Sequence, residues 1–111
     1  MPVDLPDPIP GDPAGMRALA LGLRADAAAI AIVATDVDGR VASTEFVGPA
    51  ADRMRDRTDG FARRCTRMAE RLVDSANYLD RAASDLEAAQ RARLREIEQL
   101  LRDRSAVGGS R

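Results

Sequence analysis

Apolar residues return at coiled-coil spacing on both sides of a Gly48-Pro49 bend, and few folds accept that pattern. Before the bend, Met16, Leu23, Ile30 and Val37 stand seven residues apart, with Leu19 and Val33 beside them. Ala20, Ala27, Ala34 and Val41 flank this row. After the bend, Met54, Phe61, Cys65, Met68, Leu72, Ser75, Leu79, Ala82, Leu86 and Ala89 form a second seam. From Phe61 onward its steps alternate four and three, which an α-helix gathers onto one face and a strand scatters. The expected fold is all-α: a two-helix antiparallel hairpin assembling into a four-helix-bundle dimer.

Local signals place the ends. Asp12 is a favoured N-cap and Pro13 a favoured first helical residue. The run Ser43-Thr44-Glu45-Phe46-Val47-Gly48-Pro49 breaks the chain, and Pro49 and Asp52 suit the first turn of a second helix. The hairpin is therefore expected over residues 12–104, with helices over about 13–42 and 50–104. Residues 1–11, with Pro2, Pro6, Pro8 and Pro10, are expected to be extended or disordered. Residues 105–111, with Gly108, Gly109 and Ser110, read as a flexible tail. Past Leu86 the apolar residues shift to Leu94, Ile97 and Leu101, an expected stutter in the supercoil. Glu87–Arg91 and Glu98–Arg102 are favourably oriented i,i+4 pairs.

Composition narrows the chemistry. The chain has no His, Trp or Lys and a single Cys, so the commonest acid–base side chain and a His/Cys zinc site are both absent. No catalytic residue, cofactor or metal site is assigned. The net charge of −1 hides an asymmetry: residues 1–50 hold three Arg against seven acids, residues 51–111 fourteen Arg against eleven. Such halves suit segments that lie against each other. Asp4, Asp7 and the prolines replace the basic and apolar parts of a signal peptide. No uninterrupted apolar run reaches the ~20 residues that span a bilayer, and no membrane span is expected.

Length leaves apolar surface over. At 1.5 Å per residue the first helix is ~45 Å long and the second ~80 Å, so part of the second overhangs. Leu86, Leu94, Ile97 and Leu101 form the expected overhanging strip. Leu21, Ala25, Ala28 and Ile32 form a second row on the first helix. Either this helix is buried on two sides, or its alanines merely favour helix and only Leu21 and Ile32 are exposed apolar residues. These two rows are the candidate partner-binding residues. The partner is a second copy or a related helical hairpin, and Ile97→Asp is expected to weaken that association.

Three patterns invite other readings. Ala34-Thr35-Asp36-Val37-Asp38-Gly39, with Glu45, resembles part of an EF-hand loop, but Ala34 stands at the first ligand position. The same stretch after Ala29-Ile30-Ala31-Ile32-Val33 resembles the strand and Asp-x-Asp-Gly loop of haloacid-dehalogenase-like phosphatases, keeping open a strand and a small metal-dependent enzyme around Asp36 and Asp38. The helical alternative pairs Asp36 with Arg40. Arg53, Arg57, Arg64, Arg67 and Arg71 form a basic strip, interleaved with Asp56, Asp59 and Glu70. With no Lys and few aromatics, it reads as a solvated or acid-paired face and not as a nucleic-acid site. Cys65 falls on the seam as a small hydrophobe, with an intermolecular disulfide as the alternative.

Phe46-Val47-Gly48-Pro49-Ala50-Ala51-Asp52 resembles the Trp-x-Gly signature of the WXG (ESAT-like) family, the small partners and substrates of type VII secretion. The length, and the placing of the motif between two helices near mid-chain, are similar as well. The resemblance covers roughly residues 12–100 and implies a turn fixed by Phe46, Gly48 and Pro49. It implies a secreted substrate, co-exported partner or adaptor that leaves the cell without a signal peptide and meets the secretion machinery. Phe46 stands where the family has Trp. The family's Tyr-x-x-x-Asp/Glu export signal is not matched: four residues after Tyr78 comes Ala82. The resemblance therefore implies a partner that does not carry the signal at least as well as an autonomous substrate. The alternative is a cytosolic adaptor or toxin-neutralising module with no export role.

Overall fold

A computed structural model describes residues 4–43 and 47–109. Two helices make up the fold: α1, Pro13–Ala42, and α2, Pro49–Gly109. They pack side by side in a rod of 96 × 17 × 13 Å. Two ion pairs fix their relation. Arg17 reaches Glu87 at 2.7 Å and Arg24 reaches Asp80 at 2.6 Å. As numbers rise along α1 they fall along α2, so the helices run in opposite directions.

The ends follow local chemistry. The Asp12 carboxylate accepts a hydrogen bond from Gly15 N at 3.0 Å, and Pro13 starts the helix with a ring that needs no partner. At the other end of α1, Ser43 N donates to Gly39 O and the Ser43 hydroxyl to Arg40 O. α2 opens from Gly48, at φ +111, whose carbonyl accepts from Asp52 N. α2 then runs to Gly109, five residues past the expected end at Arg104. Nothing between Ser105 and Val107 breaks a helix, and Gly108 alone does not stop it. Phe46, the aromatic of the turn motif, lies outside the described residues, as do Thr44 and Glu45.

On α1 the helix contact follows the expected stripe; on α2 it is turned from the expected seam. Among the described residues the buried apolar ones are alanines: Ala20, Ala27 and Ala34 on α1, and Ala51, Ala76 and Ala83 on α2. Met16, Leu23, Ile30 and Val37 are half-buried beside them. On α2 the expected seam members Cys65, Leu72, Leu79 and Leu86 are half-buried, Met54, Met68, Ser75 and Ala89 are exposed, and contact is shared with the neighbouring row of Ala62, Ala69, Ala76 and Ala83. The reason is steric. Helix axes separate by 8–10 Å according to what lies between them, and alanines allow close approach. Large side chains then flank the contact instead of filling it.

No stutter follows Leu86. The half-buried residues continue as Leu86, Gln90, Arg93, Ile97 and Leu100, still in steps of four and three, while Leu94 and Leu101 stay exposed. Two polar residues occupy this stripe because the chain covering it is not a helix. Residues 4–12, irregular in backbone, lie along α2 beyond the start of α1. Gln90 Nε2 donates to the carbonyls of Ile9 and Gly11, both at 3.1 Å, and Arg93 Nη1 donates to that of Asp7 at 2.9 Å. A strap of bare backbone needs donors where a helix would need apolar side chains. Gly11, at φ +135, presses on Leu86: a β-carbon there would lie 2.6 Å from Leu86 Cδ2. Leu5, Pro6 and Ile9 are half-buried in the strap.

Candidate partner interface

The two edges where α1 meets α2 differ in chemistry. One edge carries charge. Arg24, Ala27, Ala28 and Ala31 face Thr66, Ala69, Glu70, Val73 and Asp74 across a shallow groove. Both interhelical ion pairs lie on this side, and Arg24 also donates to Asn77 Oδ1 at 2.8 Å. Each pair is half-exposed, so water screens it and it contributes little to stability. Glu87 shows the effect on ionisation. The Arg17 hydrogen bond first, then the Arg17 charge and that of Arg91, hold its carboxyl below the ordinary glutamate range against a small opposing effect of burial.

The other edge is bare. Ala29, Ile30 and Val33 of α1 and Phe61, Cys65 and Met68 of α2 line a groove with no charged residue in its walls. Val33 and Met68 are exposed, Met68 to 54%. On α2 the same row adds exposed Met54 toward one end; on α1 the row through Val33 reaches Asp26 and on α2 the row through Met68 reaches Ser75, which bound the bare surface at the other. Beside Met68, Arg64, Arg67 and Arg71 form a basic rim. Cys65 is a free, half-buried thiol in the groove wall.

The candidate residues distribute unevenly over these surfaces. Leu21 and Ile32 are exposed to 70% and 68%, and Ala25 and Ala28 are exposed with them. That row lies on the outer side of α1, with Ala28 reaching the charged edge. Leu94 and Leu101 are exposed, and Ile97 is half-buried. Leu86 is not a free docking residue, because Gly11 of the strap lies on it. The overhang has thus been covered in part by the chain itself. The bare groove lies outside the expected partner-binding set, since Phe61, Met68, Ile30 and Val33 were assigned to the hairpin's own seams. A signal for it exists: Met54, Phe61 and Met68 form a seven-spaced row next to an all-alanine row.

The residues that invited catalytic readings lie in helix. Residues 29–39, the expected strand alternative and loop, are part of α1. Asp36 pairs with Arg40 at 3.3 Å on an exposed face. Among the described residues no group of three or more His, Cys, Asp or Glu side chains is placed to hold a metal. α1 is also long and apolar enough to cross a membrane by length and composition, although core helices of soluble proteins meet the same criterion. Arg24, tied to Asp80, sits within it. The chain matches no protein-family model, no curated protein sequence and no solved structure.

Proposed function

We propose that this protein is a helix-pairing partner, which docks its bare edge onto a second helical hairpin to complete a four-helix bundle. One observation carries the reading: among the described residues no large side chain is fully buried, while a continuous apolar groove stays open to water. Fully burying a Leu, Ile, Phe or Met side chain contributes roughly 1.5–3 kcal/mol, so a second hairpin over this edge adds what the two helices lack alone. The rod shape and opposed helix directions supply the flat face such a bundle needs.

The resemblance around Gly48-Pro49 supplies the cellular setting. In it the protein is a substrate, co-exported partner or adaptor of a type VII secretion system, and with no acidic residue four places after Tyr78 a partner that carries no export signal fits at least as well as an autonomous substrate. A cytosolic adaptor uses the same docking edge. Two tests separate the layers. Light scattering of the chain, measured alone and with a hairpin protein encoded beside it, should give a species near twice the 11.9 kDa of one chain in at least one of the two cases. Single-chain mass in both cases, with Met68→Asp unchanged in behaviour, removes the pairing reading. Loss of the protein from culture medium when the secretion ATPase is deleted supports export; its retention in the cytosol under all conditions supports the adaptor.

A further inference from the structure

The charges around the groove state what kind of helix belongs in it. On α2 the row outside Phe61 and Met68 reads Arg57, Arg64 and Arg71, one guanidinium per two helical turns. All three are exposed, and none has a carboxylate within ion-pair distance among the described residues. The groove walls between this rim and α1 hold no charge at all.

A second copy fits this edge poorly. If two copies dock α2 against α2, the arginine row of one lies over the arginine row of the other. If they dock α1 against α2 about an axis along the bundle, each residue meets the level it already occupies. The register set by Arg17–Glu87 and Arg24–Asp80 puts Arg40 level with Arg64. The α1 row through Val33 runs Leu19, Asp26, Val33 and Arg40: its acid, Asp26, is level with Tyr78 and not with the arginines, and Asp36 on the neighbouring row pairs with Arg40. The first arrangement brings like charges together at the groove's edge, and the second sets Val33 and Arg40, not carboxylates, level with Arg71 and Arg64.

We infer that the groove's occupant is an amphipathic helix of a different protein, with apolar residues toward Ile30, Val33, Phe61 and Met68 and carboxylates at heptad spacing opposite Arg57, Arg64 and Arg71. This rests on the helix-pairing reading and adds partner chemistry to it. Heptad-spaced glutamates would each meet one guanidinium, while the apolar stripe fills the groove and excludes water.

The test uses two synthetic helical peptides of about four heptads, with identical Leu/Ala stripes and either Glu or Lys along one flank, titrated into the full chain by fluorescence anisotropy. The Glu peptide should bind about tenfold or more tighter than the Lys peptide at low salt, with the gap shrinking in high salt. Arg64→Glu/Arg71→Glu should invert the preference at unchanged helicity, and Arg64→Ala/Arg71→Ala should erase it. Equal affinity for both peptides overturns the charge inference and leaves helix pairing standing. So does a self-dimer whose mass falls to one chain in Met68→Asp, because the groove is then filled by a copy. Co-flotation with anionic phospholipid vesicles through the same arginines, with neither peptide bound, also overturns it and assigns the edge to a membrane surface. Single-chain mass with neither peptides nor vesicles bound removes the pairing reading and the inference together.

Discussion

Replacing Ala76 by Leu should wedge the two helices apart. Ala76 is fully buried, and the register of the ion pairs places it within one residue of the level of Ala27, itself 4% exposed. Three added carbons have no void to enter, because the close approach of the axes depends on alanine at both levels. Overpacking of this kind costs about 1–3 kcal/mol, while the change in helix propensity is only a few tenths. For a chain of this size the loss corresponds to a drop in melting temperature of roughly 4–8 °C per kcal/mol. Ala88→Leu, on an exposed position of the same helix, is the control and should move stability by no more than about 0.5 kcal/mol. Thermal melts followed by circular dichroism, at matched concentration, give both numbers. If Ala76→Leu melts with or above Ala88→Leu, the alanine seam is not where the helices meet.

Other consequences are smaller in scope. Gln90→Ala/Arg93→Ala removes the three hydrogen bonds that hold the strap, so an aspartate-specific protease should cut at Asp7 faster than in wild type; an unchanged rate would mean the strap is held otherwise. Gly11→Val should release it too, since Val rarely adopts φ +135 and its β-carbon meets Leu86. The ionisation of Glu87 predicts an acid effect. Its folded pKa lies below the unfolded one, so its contribution is present above the unfolded value and is lost as pH falls through the folded value. The difference in urea midpoint between wild type and Glu87→Gln should therefore be constant near neutrality and narrow progressively as pH falls below about 4.3; a gap that stays constant or widens on acidification contradicts the assignment.

What could be read from the residues depended on how local the cause was. The Asp12-Pro13 start and the Gly48-Pro49 restart are each settled within a few residues by capping and proline geometry. The α1 stripe and the Cys65, Leu72, Leu79 and Leu86 row of α2 lie at the contact as their spacing predicts, but the other α2 row was misplaced because apolar size was weighed above fit. Met54, Phe61 and Met68 are the stronger hydrophobes, yet the helices meet on Ala20, Ala27, Ala34, Ala76 and Ala83. Once contact rotates onto the alanines, those large residues become the wall of an open groove, which is why the bare edge was hidden in the pattern. The strap was missed for a different reason. Its partners on α2 are Gln90 and Arg93, and what they recognise is carbonyl oxygen, which every sequence contains. The apparent stutter after Leu86 came from reading Gln90 and Arg93 as breaks in a stripe that they continue.

Cys65 offers a direct view of the proposed docking edge, because its thiol is free, half-buried and set in the groove wall. The measurement is its alkylation rate, with and without a saturating Glu-flanked helical peptide. Occupancy of the groove should slow labelling severalfold, and Val33→Asp/Met68→Asp should restore the unprotected rate. A peptide that binds while Cys65 reacts as fast as before would show that helices dock elsewhere on this rod.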